Sequence, residues 1–343
     1  MRAVAGTAVA FAMLGSLSTG VAQAADQKRE IEVTIDPVAK AAASGDDAAL
    51  CASSVPRTEV WARTHSCQTI NATVHVRLNG RPVGMAKFTV QHTMDLDIES
   101  TKFTEEVKIS KAQLSGEARG ITASFGANCG SGCSAKDSIS PFTLGSSAKT
   151  GKIDYSNPVG QGKREKRTTG YRFSLVKPGY SPGSVAYNSP FWRCDDTFYK
   201  GLFPKPAGCV FPGHSTTVIG MGVLPSIGQN IRGVQAKGIH IGEPGSGHPL
   251  HRITNKNKII DNRNAVCDDK DKPDWGVILD PLLRPSCDEY PFASTKEGGT
   301  AMSPTNRATK WVPRWENNTQ GTILSSHYKN YRVLNGDPYY VAA

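Results

Sequence analysis

The sequence predicts a mixed α+β C-terminal domain preceded by a mainly antiparallel, sandwich-like β domain. Three observations carry this. From about residue 30 to residue 180, short runs alternate polar and apolar side chains with the period of two that half-buried strands show. With 34 Gly and 21 Pro, the chain is rich in turns and poor in segments long enough for extended helices. Its 343 residues exceed the usual size of one domain, so two are expected.

Arg2, an apolar run from Ala3 to about Leu17 and the small-residue stretch Val21-Ala22-Gln23-Ala24-Ala25 have the pattern of a secretory signal peptide spanning 1–24. That run is shorter than the roughly 20 residues a spanning helix needs, and no later stretch is apolar enough, so no membrane span is expected. The mature product is expected to be released or held at the cell wall.

Residues 25–180 form the β domain. Residues 30–35 alternate, and so do 69–78, with Ile70, Ala72, Val74, Val76 and Leu78 on one face. Asn79-Gly80 is a strong hairpin turn leading into 82–91. Strands are also expected over 95–109, 120–125 and 171–176. No carboxylate–histidine cluster stands out in this half, so its expected jobs are binding, spacing or stability. Gly162-Lys163-Arg164-Glu165-Lys166-Arg167 is a basic run; it can touch a phosphate backbone, or it can simply be a solvated loop.

Pro182, Pro190, Pro204, Pro206 and Pro212 punctuate a stretch without periodicity, so 181–229 reads as a Pro/Gly-rich connection ahead of a domain at 230–343. The apolar run 218–224 is a strand candidate, the region continues through 238–241, 249–253 follows a Gly-rich turn, and 277–279 is a further strand candidate. Residues 314–328 read as a helix with Glu316, Gln320 and Leu324 along one side. Residues 331–334 and 339–341 around Asn335-Gly336-Asp337 read as a closing hairpin.

The eight cysteines are an even number in a chain expected to be exported, which favours disulfides. They fall into the sequence-local pairs Cys51–Cys67, Cys129–Cys133, Cys194–Cys209 and Cys267–Cys287, and only one pair is close enough in sequence to resemble half of a zinc site. The net charge of +10, with a pI near 9.2, attracts polyanions such as nucleic acid or an anionic cell surface, although it also serves plain solubility.

The chemistry concentrates in Cys287-Asp288-Glu289-Tyr290-Pro291-Phe292-Ala293-Ser294-Thr295-Lys296-Glu297-Gly298-Gly299, which sets three carboxylates and a lysine between a cysteine and a Gly-Gly pair. In an extended segment Asp288 and Glu289 must point to opposite faces, and in a helix they sit about 100° apart with neither stacked on the other; either way one of them is expected to face inward. A buried carboxylate near a basic group is raw material for a general base or a metal ligand.

Asp288-Glu289-Tyr290-Pro291 and Lys296-Glu297-Gly298-Gly299 resemble the signature of the secreted bacterial NucA/NucB deoxyribonucleases, small non-specific DNA endonucleases. His240-Ile241, Gly247-His248-Pro249, Asn262-Arg263, the stretch 304–307 and a tail over 311–316 with Gln320-Gly321 agree in the same order. The resemblance covers roughly the last third of the chain. It implies a nuclease-like C-terminal domain, with DNA as partner and little sequence preference.

Cutting a phosphodiester needs a nucleophilic water, an electrophile for the oxygens and help for the leaving alkoxide; a divalent ion such as Mg²⁺ or Mn²⁺ supplies the first two. Asp288 is the leading candidate for a metal ligand or base, followed by Glu289, with Glu316 and His248 as further catalytic candidates. Glu297 and His240 join Asp288 as candidate metal ligands; His251 completes a cluster of three histidines. Arg252, Arg263, Arg307 and Asn318 are candidates for holding substrate, since a guanidinium grips two phosphate oxygens. Tyr290, Trp311 and Trp315 can stack on bases or fill the core. The competing expectation is a secreted β-protein that binds DNA or a cell surface, with a catalytically silent nuclease-like domain.

Overall fold

The computed structural model describes residues 27–36, 39–42, 58–200 and 204–343. The expected signal peptide and Cys51 lie outside these residues.

The chain is mostly antiparallel β. The first fifteen strands are β1 (Arg29–Ile35), β2 (Ala39–Ala42), β3 (Thr58–Trp61), β4 (His65–Leu78), β5 (Arg81–Asp95), β6 (Lys102–Ile109), β7 (Gln113–Gly116), β8 (Thr122–Asn128), β9 (Ser134–Asp137), β10 (Phe142–Thr143), β11 (Lys149–Ser156), β12 (Arg164–Arg167), β13 (Gly170–Val176), β14 (Gly183–Asn188) and β15 (Trp192–Asp195). β4 and β5 form the longest hairpin. It turns on Asn79 and Gly80, whose φ of 51° and 80° give the twist that a two-residue hairpin turn requires.

A nine-stranded sheet runs β2-β3-β4-β5-β6-β11-β9, with β1 added on β4 and β7 on β5. A four-stranded sheet, β10-β8-β13-β14, shares one apolar core with it. Phe88 of β5 and Phe173 of β13 meet edge to face across the two sheets, with centroids 5.8 Å apart. A carboxylate–histidine cluster that the sequence did not reveal sits in this core. Glu105 is fully buried and accepts from the hydroxyls of Tyr155 (2.6 Å) and Tyr171 (2.8 Å). His92 Nδ1 lies 2.5 Å from the same carboxylate, and its Nε2 bonds the Tyr187 hydroxyl. With every member sealed from solvent, this network ties the two sheets together.

The stretch read as a connection is more ordered than its prolines suggested. It contains β14, β15 and β16 (Gly208–Val210), and Trp192, Cys194, Cys209 and Phe211 belong to the N-terminal core. Its strands are three to six residues long, too short between prolines to display a period. Cys194 and Cys209 face each other across β15 and β16 and are bonded, as are Cys129–Cys133 and Cys267–Cys287. Cys67 is also disulfide-bonded.

The C-terminal part contains β17 (Thr216–Val218), α1 (Pro225–Gln235), β18 (Leu250–His251), α2 (Lys256–Asn264), β19 (Pro285–Tyr290), β20 (Ala308–Pro313), α3 (Arg314–Asn330) and β21 (Pro338–Val341). A second core of Val218, Ile227, Ile231, Tyr290, Val312, Leu324 and Tyr339 joins them. The expected helix is α3, and Glu316, Gln320 and Leu324 are its buried stripe. The expected closing hairpin does not form. β21 pairs with β17 and β18 instead, while 331–334 turns inward with Arg332 at φ 49°. Residues 277–279 form no strand, and Val277 and Leu279 are exposed.

Buried ions explain that inward turn and lock the two parts together. Arg332 Nη2 reaches Asp195 Oδ1 at 2.6 Å, Arg63 Nη2 reaches Asp337 Oδ2 at 2.8 Å and Arg193 Nη1 reaches Asp337 Oδ1 at 2.8 Å. The guanidiniums of Arg63 and Arg193 also donate to the Arg332 carbonyl. Burial pulls Arg63 down to about 10, opposed by Asp337.

Candidate active site

β19 pairs antiparallel with β20, placing Asp288 opposite Lys310 and Glu289 opposite Thr309. Strand alternation sends the two neighbouring carboxylates to opposite faces. Asp288 turns toward α1 and α3 and is 1% exposed. Its Oδ2 accepts from Asn230 Nδ2 at 2.9 Å and its Oδ1 from Gln320 Nε2 at 2.8 Å. Both donors are neutral amides, and burial outweighs them, so the carboxyl lies above its ordinary range.

Glu289 turns the other way, into a cleft of about 280 Å³ whose walls include Val266, Pro291, Gly299, Arg307 and Thr309. Burial pushes its carboxyl up to about 7, with the charge of Asp288 adding and the Arg263 guanidinium opposing. The Ala293 amide reaches Glu289 Oε1 at 3.4 Å. Arg263, near the end of α2, is held by donating to the Cys287 carbonyl at 2.7 Å. Arg307 donates to the Gly299 carbonyl at 3.4 Å and also lines a second, larger cleft of about 630 Å³ with Asn230, Lys237 and Lys310. The two clefts share Pro304, Arg307 and Ala308, so one groove passes a single carboxylate and several cations.

Two glycines hold the walls close. A side chain on Gly298 would strike the Phe292 carbonyl oxygen at 2.4 Å, and one on Gly299 (φ 65°) would press on the Asn262 backbone. Asn262 completes the fastening by donating to the carbonyls of Ala293 and Thr295.

The remaining candidates are dispersed. Glu316 is 2% exposed and accepts from the backbone amides of Ser226 (2.9 Å) and Ile227 (3.1 Å), at the start of α1. Glu297 accepts from the His251 amide and pairs with His251 Nδ1, both at 2.8 Å. His240 is exposed, its Nδ1 2.7 Å from the Gln235 carbonyl oxygen and 3.2 Å from Glu243. His248 is exposed in the following loop, and Asn318 lies on the solvent side of α3. Arg252 sits apart from the Glu289 cleft, in a separate cleft between the two parts of the chain.

Asp288, Glu297 and His240 are not gathered into a metal-ligating set. Among the described residues, the only group of three ligand-type side chains within 4.8 Å is Cys267, Cys287 and Glu289. Its two sulfurs are joined in a disulfide and offer nothing to a hard cation. Glu289 alone still fits Mg²⁺ or Mn²⁺, which is commonly held by one or two carboxylates while water and substrate phosphate complete its shell. The sequence missed Asn230, and it placed Gln320 on the helix stripe without tying it to Asp288, because neither residue type signals a site by itself.

Residues 243–342 match the family model described as deoxyribonuclease NucA/NucB. No curated protein and no solved structure gives a match. The match supports a DNA nuclease and takes in Glu289, Arg263 and Arg307, while α1 and everything before it lie outside.

Proposed function

We propose that the chain is a secreted DNA endonuclease of little sequence preference that hydrolyses phosphodiester bonds at the Glu289 cleft. The observation that carries this is a carboxyl pushed up to about 7 in a cleft that also holds Arg307 and opens onto a second cleft bearing Lys237 and Lys310, with Glu289 and Arg307 inside the residues matched as a deoxyribonuclease. A base of that strength takes a proton from water near neutral pH, where an ordinary glutamate is too weak. Arg307, lining both clefts, stands where a phosphate passing between them would lie, and Arg263 adds positive charge beside Glu289. Asp288 acts behind this face: it fastens β19 to α1 and α3, and its charge helps keep Glu289 basic. A Mg²⁺ or Mn²⁺ ion held by Glu289 would neutralise phosphate oxygens and lower the pKa of its bound water.

Secretion agrees with three disulfides among the described residues and with no helix there long and apolar enough to cross a membrane. The test is plasmid nicking by the oxidised protein with Mg²⁺, Mn²⁺ or EDTA. Cutting should need the metal and fall by about 10²–10⁴-fold in Glu289→Gln. A variant that nicks at the wild-type rate would remove Glu289 from the reaction.

A further inference from the structure

A third cleft, of about 510 Å³, opens where the two parts of the chain meet, and Arg164, Phe198, Arg252, Thr254 and Asn335 are among its walls. Arg252 lies mostly out of water there. Its guanidinium stacks 4.2 Å over the Tyr328 ring, and Nη1 donates to the Val333 carbonyl. It forms no ion pair among the described residues, and Nε and Nη2 bond nothing there. The Asp337 carboxylate acts on it only from beyond ion-pair distance, so a phosphate oxygen entering the cleft would gain direct contact with a partly desolvated cation.

The wall at Arg164 comes from the basic run of the sequence, which is strand β12. Alternation sorts its charges. Glu165 and Arg167 share one face and neutralise each other at 3.5 Å, while Arg164 and Lys166 share the other, exposed face with no carboxylate partner among the described residues. Helix α2 begins at the cleft, with Asn255 as its cap, and ends at the Glu289 cleft beside Ala265 and Val266. Lys256, Lys258 and Arg263 are exposed on α2, against one carboxylate, Asp261. Its nine residues span about 13 Å, the rise of about four nucleotides of one strand.

We propose that the junction cleft is a second phosphate-binding site, formed by Arg252 and Arg164, which holds the DNA backbone about four nucleotides from the bond cut at Glu289. It rests on the nuclease reading above and gives the N-terminal part a share in binding substrate.

The test uses the full oxidised protein and the surface variant Arg164→Gln/Lys166→Gln, which spares the half-buried Arg252. A control, Lys102→Gln/Lys152→Gln, makes the same charge change on exposed positions of β6 and β11. In EDTA, the slope of log affinity against log salt for a long duplex should fall by about 1–2 in the first variant and stay unchanged in the control. With metal, kcat/KM for long DNA relative to a tetranucleotide should fall several-fold in the first variant only. A wild type that cuts, with an unchanged slope and ratio in the variant, sinks the second site and leaves the nuclease. Equal losses in variant and control also sink it, by reducing the effect to net charge. A wild type that never cuts, yet loses slope in the variant, sinks the nuclease reading and leaves the site as a DNA-binding one.

Discussion

At Glu289, folding and chemistry pull in opposite directions. Withdrawing the carboxylate from water raises its affinity for a proton in the folded chain, as the proposed role of a base near neutral pH requires. The folded chain therefore holds a proton that the unfolded chain has released between about pH 4.5 and 7, so stability declines across that window as pH rises and is level above it. With allowance for its partial exposure, the cost at pH 8 is on the order of 2 kcal/mol. Glu289→Gln should therefore raise the melting temperature at pH 8 by several degrees, and by almost nothing at pH 4, while removing activity. A metal ion on Glu289 would hold the carboxylate ionised, so nicking should climb with pH and level off below the value of about 7 that burial alone gives, the midpoint falling as metal concentration rises. A midpoint that does not move with metal would take the ion off Glu289.

Among the elements, α1 depends on a side chain from outside itself. Pro225 starts it without a side-chain cap, and Glu316 of α3 receives the amides of Ser226 and Ile227. Glu316→Ala should cost about 1–3 kcal/mol in denaturant unfolding, because two helix-start amides lose a charged acceptor. Activity per folded molecule should stay within a few-fold; a hundred-fold loss in folded protein would return Glu316 to the chemistry. The stripe Glu316, Gln320, Leu324 was legible from its spacing, as were the Asn79-Gly80 turn and three of the cysteine pairs, because each depends on neighbours in sequence. That Asp288 and Glu289 would oppose each other followed from the sequence only if the segment was extended, as it is in β19. Which of them faces the cleft was not legible, since that is decided by Asn230 and Gln320, 58 and 32 residues from Asp288. Arg332 misled for the same reason: its partner Asp195 lies 137 residues earlier.

Over the whole molecule, the ions of Arg63, Arg193, Arg332, Asp195 and Asp337 join two cores that would otherwise be separate. Asp337→Ala leaves Arg63 and Arg193 buried without their shared carboxylate and should cost about 3–5 kcal/mol. Calorimetry should then show the single transition of the wild type splitting into two, as each core melts by itself. One transition at an unchanged temperature would show that the cores are coupled some other way. The Cys267–Cys287 bond acts on a different hazard. It closes a loop whose Val277 and Leu279 lie open to solvent, the kind of segment that proteases nick. A chain severed there would remain one covalent molecule, its two pieces held together at the strand that bears Glu289.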